Sequence, residues 1–304
     1  MLAIIAWGTF VRATGSGAGC GNHWPLCNGE VLPRSPTMAT VIEYMHRVTG
    51  ALGGLPVLLQ VYFARRAFPA GHPVRPLAWL TLLLFAVEGA VGAGLVKFEV
   101  VASDASIARA YWMSAHLINT FLLVAAQTLI IWASNHEHVR FAMGRRRAAW
   151  LTGTALFALL LTGVSGAVAA LGDTLFPAKS LAEGLAADRA ADAHVFVELR
   201  AIHPFVAAGT AIHLLIVAST FVRSSDPATK HAAQRTGLLV LAQVAVGIVN
   251  LLLLAPIAMQ VVHLVLADIV WMSVVVLTAE SLKRTERNPV AVEAREQEPA
   301  SSAA

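Results

Sequence analysis

The sequence predicts an all-α polytopic membrane protein of eight transmembrane helices, built as two pseudo-repeated four-helix bundles related by an axis along the membrane normal. Three observations carry this expectation. Hydrophobic residues fill 57% of 304 positions and charged residues only 13%, where a soluble domain carries about a quarter charged residues. Apolar runs of the roughly 20 residues needed to cross a hydrocarbon core recur along the whole length. The same histidine pattern occurs in both halves of the chain. No stretch is left over for a soluble domain. The pI near 9.4 does not point to nucleic acid, because the basic residues lie between apolar runs and form no single patch.

Taken in order, the expected spans are 1–14, 41–64, 77–97, 111–133, 148–171, 199–222, 236–255 and 259–281. The first supplies about half a crossing, from Leu2 to Val11, so a true start upstream, or a trimmed copy, is expected. Basic residues follow every even span: Arg65, Arg66 and Arg75; Arg140, Arg145, Arg146 and Arg147; Arg223, Lys230 and Arg235; Lys283, Arg284, Arg287 and Arg295. The positive-inside rule puts those loops, and both termini, on the cytoplasmic side of the cell membrane. Odd spans then run outward. The expected organisation is an N-terminal half over 1–140, a C-terminal half over 141–282 and a disordered tail over 283–304.

Only two cysteines occur, Cys20 and Cys27, both in the first outer loop of this topology. An oxidising exterior favours a disulfide closing a short loop. A free thiol pair that does redox work or binds metal is the alternative.

The stretch Ile42-Glu43-Tyr44-Met45-His46-Arg47 puts three ionisable groups at the mouth of a long apolar helix. Glu43 and His46 are three apart and share a helix face. Ionisable groups inside a membrane segment are costly to desolvate and mark a functional site by default; a headgroup-level cluster is the plainer reading.

Each half carries a histidine near the outer end of its second and fourth spans: His46 and His116, then His203 and His263. A lone membrane histidine is more often an interhelical hydrogen-bond partner than a ligand. Four at matching depth, two per unit, favour ligands, and paired neutral imidazoles grip a haem iron from both sides. Zinc would more usually need further protein ligands. Four residues on from these histidines stand Gly50, Thr120, Ala207 and Ala267, small enough to leave room for a ring edge. Arg47 and Arg200 are expected either to meet haem propionates or to snorkel to headgroups. His213 lies deeper in its span and is the weaker rival to His203. His23, His72, His136, His138, His194 and His231 fall in loops, where solvation is the default.

With these residues in hand, the sequence resembles the haem A synthase family. The resemblance rests on Val11-Arg12-Ala13-Thr14-Gly15-Ser16-Gly17 running into Cys20 and Trp24-Pro25-Leu26-Cys27, on Glu43-Tyr44-Met45-His46-Arg47, on His116-Leu117, on Gly172-Asp173-Thr174-Leu175-Phe176-Pro177 and on His263-Leu264. The chain departs from the family's pattern at Gly21-Asn22-His23, where Pro-Asp is common between the first cysteine and the tryptophan.

The resemblance implies oxidation of a methyl group of haem O to a formyl group, giving haem A for cytochrome oxidase. It further implies that His46 and His116 flank the substrate haem with Glu43 essential beside it, that His203 and His263 hold a haem b cofactor, and that Cys20 and Cys27 form a disulfide. The implied partners are haem O, the farnesyltransferase that produces it, an electron acceptor whose identity the sequence leaves open, and the lipid bilayer; a homo-oligomer is left open. Position by position, the C-terminal counterpart of Glu43 is Arg200, three residues before His203. A two-haem cytochrome b passing electrons from a quinol to an outer partner is the alternative from another class. A transporter built from repeats is the third reading, disfavoured because Glu88 is the one charge expected deep in the helices.

Overall fold

A computed structural model of the chain describes residues 1–136 and 145–283. The described residues form ten α-helices: α1 Leu2–Ala13, α2 Met38–Ala67, α3 Val74–Lys97, α4 Ile107–Ser134, α5 Arg146–Leu175, α6 Leu181–Ala187, α7 Val195–Arg200, α8 His203–Val222, α9 Pro227–Leu252 and α10 Ile257–Leu282. No strand occurs among them. Arg140, His138, Arg284, Arg287, Arg295 and the expected tail from 284 onward lie outside the described residues.

Among the described residues, six helical segments are long and apolar enough to cross a membrane: α3, α4, α5, the α7–α8 pair, α9 and α10. Two expected spans fall outside that set. The apolar helix α1 has 12 residues. Helix α2 has 30 residues but carries Glu43, Arg47, Arg65 and Arg66 together with Pro56 in its interior. Its outward face nonetheless shows Leu52, Leu55, Leu58, Tyr62 and Phe63 exposed, the surface a helix offers to lipid tails.

Most helices extend a turn or so beyond the apolar runs, because their caps lie outside the hydrophobic stretch. Thr37 accepts from the Thr40 backbone N–H at 3.2 Å to start α2, and Ser106 from the Arg109 N–H at 3.3 Å to start α4. The expected sixth span is broken instead of continuous. Pro204 has no backbone N–H to give the Arg200 carbonyl, so it is accommodated only in the first turn of a new helix: α7 stops at Arg200 and α8 begins afresh at His203.

The helices pack as sequence neighbours, α3 on α4, α8 on α9 and α9 on α10, and the seam between early and late helices runs along α4, α5 and α10. Phe121 of α4 stacks on Trp271 of α10 with ring centroids 5.0 Å apart, and the Trp271 indole N–H donates to the Phe121 carbonyl at 2.8 Å. That bond satisfies a buried polar atom where no water is at hand. Helix α1 also crosses the seam. Arg12 donates to the Ala170 carbonyl and to Thr174 Oγ1, both at 2.8 Å, and to Gln260 Oε1 at 2.6 Å, tying α1 to α5 and α10.

At the opposite end, Asp226 caps α9, accepting from the Thr229 N–H at 3.0 Å and Thr229 hydroxyl at 2.6 Å, with Lys283 Nζ 3.7 Å away. Partial burial pushes its carboxyl up, but the Thr229 bonds and Lys283 outweigh that and hold it below the ordinary carboxylate range. The cap's contribution is therefore complete above the unfolded value of about 3.9 and is lost as pH falls through the lower folded value. Asp226→Ala should cost about 1 kcal/mol at neutral pH, read as a lower thermal midpoint in detergent, with the difference from wild type shrinking in acid.

Candidate functional site

The four histidines predicted as ligands all lie towards the starts of helices that run the same way. At about 1.5 Å per residue, His46, His116 and His263 sit roughly 9–14 Å in from the first residues of α2, α4 and α10. His203 opens α8, with α7 ahead of it. All four are half-buried. They group in two pairs: His46 and His116 lie close enough to interact electrostatically, and so do His203 and His263.

One construction recurs at every one of them. A Cβ added at Gly8, Gly166 or Gly247 would stand 3.0 Å from Cε1 of His46, His203 or His263 respectively, and one at Gly92 would stand 3.8 Å from Cε1 of His116. Each imidazole thus packs edge-on against a glycine of a neighbouring helix: α1, α3, α5 and α9 in turn. At Gly8, Gly166 and Gly247 the glycine removes a side chain that would press on the ring, whereas a Cβ at Gly92 would only touch it at ordinary contact distance. The small residues expected from the sequence, Gly50, Thr120, Ala207 and Ala267, lie on the histidines' own helices. Of those, a Cβ at Gly50 would meet nothing within 4 Å, leaving open space one turn beyond His46.

The second ring nitrogen differs at each site. His203 Nδ1 is 3.0 Å from Ser165 Oγ. The Gln243 amide nitrogen lies 3.3 Å from His263 Nδ1 and 3.4 Å from its Nε2, and donates to the His263 carbonyl at 3.2 Å. His46 Nδ1 is buried with no partner among the described residues. His116 Nδ1 lies 3.3 Å from Glu88 Oε1, but off the N–H axis, so the two groups are adjacent without an aligned hydrogen bond.

Glu43 is buried at 3% exposure. Its Oε1 accepts from Arg47 Nε at 3.1 Å and from the Arg47 Nη2 at 2.5 Å, and its Oε2 accepts from the Cys20 N–H at 2.8 Å. Arg47 also donates to the carbonyls of His23 and Leu26, each at 2.6 Å. Cys20 and Cys27 are joined in a disulfide. Glu43 and Arg47 therefore clamp the disulfide loop over the start of α2. A Cβ at Gly19 would fall 2.3 Å from the Ala39 carbonyl group, so only glycine lets that loop lie so close.

Both arginines expected near ligands are engaged by protein groups. Arg200 donates to Asp188 Oδ1 at 2.7 Å and to the Phe176 carbonyl at 2.9 Å. His213 lies 3.1 Å from Thr154 Oγ1 on α5. Two readings of loop histidines change. His72 is buried, with Nδ1 accepting from the Val74 N–H at 3.3 Å, and His194 caps α7 through the Phe196 N–H at 3.2 Å. A second deep acid also went unnoticed: Asp268 of α10 is fully buried, and neither carboxylate oxygen has a partner among the described residues. The signal was the single acid between Ile257 and Thr278.

Among the described residues no cluster of three or more His, Cys, Asp or Glu side chains is disposed to hold a metal ion. The histidines come in twos, the number a haem iron takes from protein when both axial positions are filled. Imidazole donors in pairs, glycine-seated rings, a buried unpartnered Nδ1 at His46 and open space at Gly50 all fit a flat iron macrocycle.

Fold and site together define a polytopic helical membrane protein with two histidine pairs. A family model described as cytochrome oxidase assembly protein, COX15-CtaA, matches residues 1–275. The chain belongs to this family, that of the haem A synthases. It is 42% identical over 253 residues to a protohaem IX farnesyltransferase of Thermus thermophilus, a match that covers 81% of this chain and 41% of that protein. It is 33% identical over 138 residues to a haem A synthase of Alkalihalophilus pseudofirmus, covering 45% of each. It is 26% identical over 252 residues to a haem A synthase of Exiguobacterium sibiricum, covering 81% of this chain and 80% of that one. The chain thus spans less than half the length of the first two relatives.

Proposed function

We propose that this protein is a haem A synthase, oxidising a ring methyl group of haem O to the formyl group of haem A for cytochrome oxidase. The observation that carries this reading is that the two histidine sites carry opposite charges at the same sequence position: Glu43 stands three residues before His46, and Arg200 three before His203. On this reading residues 1–140 form a four-span half with the substrate between His46 and His116. Residues 141–282 form a second four-span half whose His203 and His263 hold haem b. The haem b supplies reversible one-electron storage.

Converting a methyl to a formyl group is a four-electron oxidation: with water as the oxygen source, R–CH3 + H2O gives R–CHO, four protons released to solvent and four electrons passed to the acceptor, so positive charge develops at that carbon as electrons leave. Glu43 is the catalytic residue in this scheme. Both its oxygens already accept bonds, so a proton transfer would have to break one of them, whereas a fixed carboxylate stabilises positive charge without moving. Arg47 and the disulfide loop hold that carboxylate in place. His46 and His116 orient the substrate, seated by Gly8 and Gly92.

The family relationship and the exposed apolar face of α2 support an eight-span topology in the cell membrane, both termini cytoplasmic and both haem sites toward the outer side. The Thermus relative, named for farnesyl transfer to protohaem, contains a stretch homologous to this chain within a longer protein. That supports a haem O-producing farnesyltransferase as the partner delivering substrate.

The test is expression with a haem O supply, followed by extraction and chromatographic separation of the haems. Wild type should yield haem A, or its hydroxylated precursor. Bound haem without either product would overturn the enzyme reading in favour of a two-haem cytochrome. Glu43→Gln should lower product at least tenfold, about 1.4 kcal/mol of barrier, while haem stays bound. Product equal to wild type would remove Glu43 from the chemistry.

A further inference from the structure

The two halves differ at a second position, one that is visible only once the helices are packed. In α3, Glu88 stands four residues before Gly92, the glycine against which His116 packs; in α9, Gln243 stands four residues before Gly247, the glycine against which His263 packs. Four residues is one helical turn, so both side chains come off the same face as the seating glycine. Both reach the imidazole: Glu88 Oε1 is 3.3 Å from His116 Nδ1, and Gln243 Nε2 is 3.3 Å from His263 Nδ1 and 3.4 Å from its Nε2. The register is shared and the chemistry is opposite. A carboxylate accepts hydrogen bonds, whereas the Gln243 amide nitrogen, oriented by its bond to the His263 carbonyl, donates them.

The carboxylate is also held from the ligand's own helix. Asn119 Nδ2 donates to Glu88 Oε2 at 2.6 Å and to the Leu84 carbonyl at 2.9 Å; the Thr120 hydroxyl donates to Glu88 Oε1 and lies 2.9 Å from the His116 carbonyl. Glu88 is thus fixed at the Nδ1 edge of His116. A turn of the imidazole about its soft ring torsion brings the N–H onto the carboxylate.

We infer that Glu88 is a positioning residue that makes His116 the more electron-donating haem ligand, and that Gln243 at the same place withholds that effect from His263. A carboxylate on the distal nitrogen fixes the tautomer and raises the basicity of the coordinating one. A more basic axial imidazole favours the ferric state and lowers the haem's potential. The N-terminal haem is therefore set to give up electrons and the C-terminal haem to receive them. This inference rests on the haem A synthase reading above, since it needs haem at both pairs.

Its test is redox titration and low-temperature electron paramagnetic resonance of the purified full chain, loaded with haem O in the absence of oxygen. Glu88→Gln should raise the midpoint potential of one haem and alter its low-spin signal, leaving the other haem unmoved, and Glu88→Asp should restore part of the difference. Gln243→Glu should lower the potential of the other haem. If Glu88→Gln binds haem with potentials unmoved, the inference is overturned. If Glu88→Gln fails to hold haem, Gln243→Glu decides: a lowered potential supports the inference, and an unmoved one assigns Glu88 to helix packing alone. Wild type free of haem would overturn the parent reading instead.

Discussion

Arg47→Ala should destabilise the protein by about 3–5 kcal/mol, the cost of stranding a buried charge by removing its partner. The Glu43 and Arg47 side chains are 4% and 12% exposed, so water cannot take over the lost bonds. The same substitution frees the carbonyls of His23 and Leu26, and with them the disulfide loop. The measurement is the thermal midpoint in detergent together with the reactivity of Cys20 and Cys27 after mild reduction: both should move strongly. Glu43→Gln keeps an acceptor for the Cys20 N–H and a neutral partner for Arg47, so its stability loss should be the smaller of the two. A ranking in the opposite order would mean that the clamp is not what holds the loop. The comparison also separates structure from chemistry, because Arg47→Ala should lose product through unfolding and Glu43→Gln with the fold and bound haem retained.

The second large effect concerns haem content. His263→Ala should lower bound haem to about half of wild type, because one imidazole alone leaves a bis-histidine site without an axial ligand while the other pair stays complete. His46→Ala should do the same to the other half. Pyridine haemochrome analysis of extracted haem distinguishes the halves, since the lost species is haem b in one variant and the substrate or product haem in the other. Complete loss from either single variant would mean that the two sites are not independent. Loss from neither would remove these histidines as ligands.

Much of this was legible along the chain. Hydropathy located every long helix, because a segment facing lipid must be apolar whatever it packs against. The histidine spacing was legible for the same reason, since polar side chains stand out in apolar runs. Other features were not. The break between α7 and α8 required weighing Pro204 against a continuous apolar run. The orphaned acid Asp268 passed unnoticed in α10. Glu43 drew attention as a chemical group, and its role as the anchor of the disulfide loop emerged only when Cys20 and Arg47 came together around it.

By itself the sequence determined that this protein is helical and membrane-embedded, that four histidines recur near one end of its helices, and that Glu43 and Arg200 hold the same position, three residues before His46 and His203. Only the tertiary structure decided what surrounds each imidazole. The glycines that seat the rings and the groups at their second nitrogens come from other helices, 16 to 38 residues away in sequence. Spacing within one helix reports which residues share a face, but not which face of a neighbour is turned towards it. That is settled by side-chain packing between helices, and here packing sets Glu88 beside His116 and Gln243 beside His263.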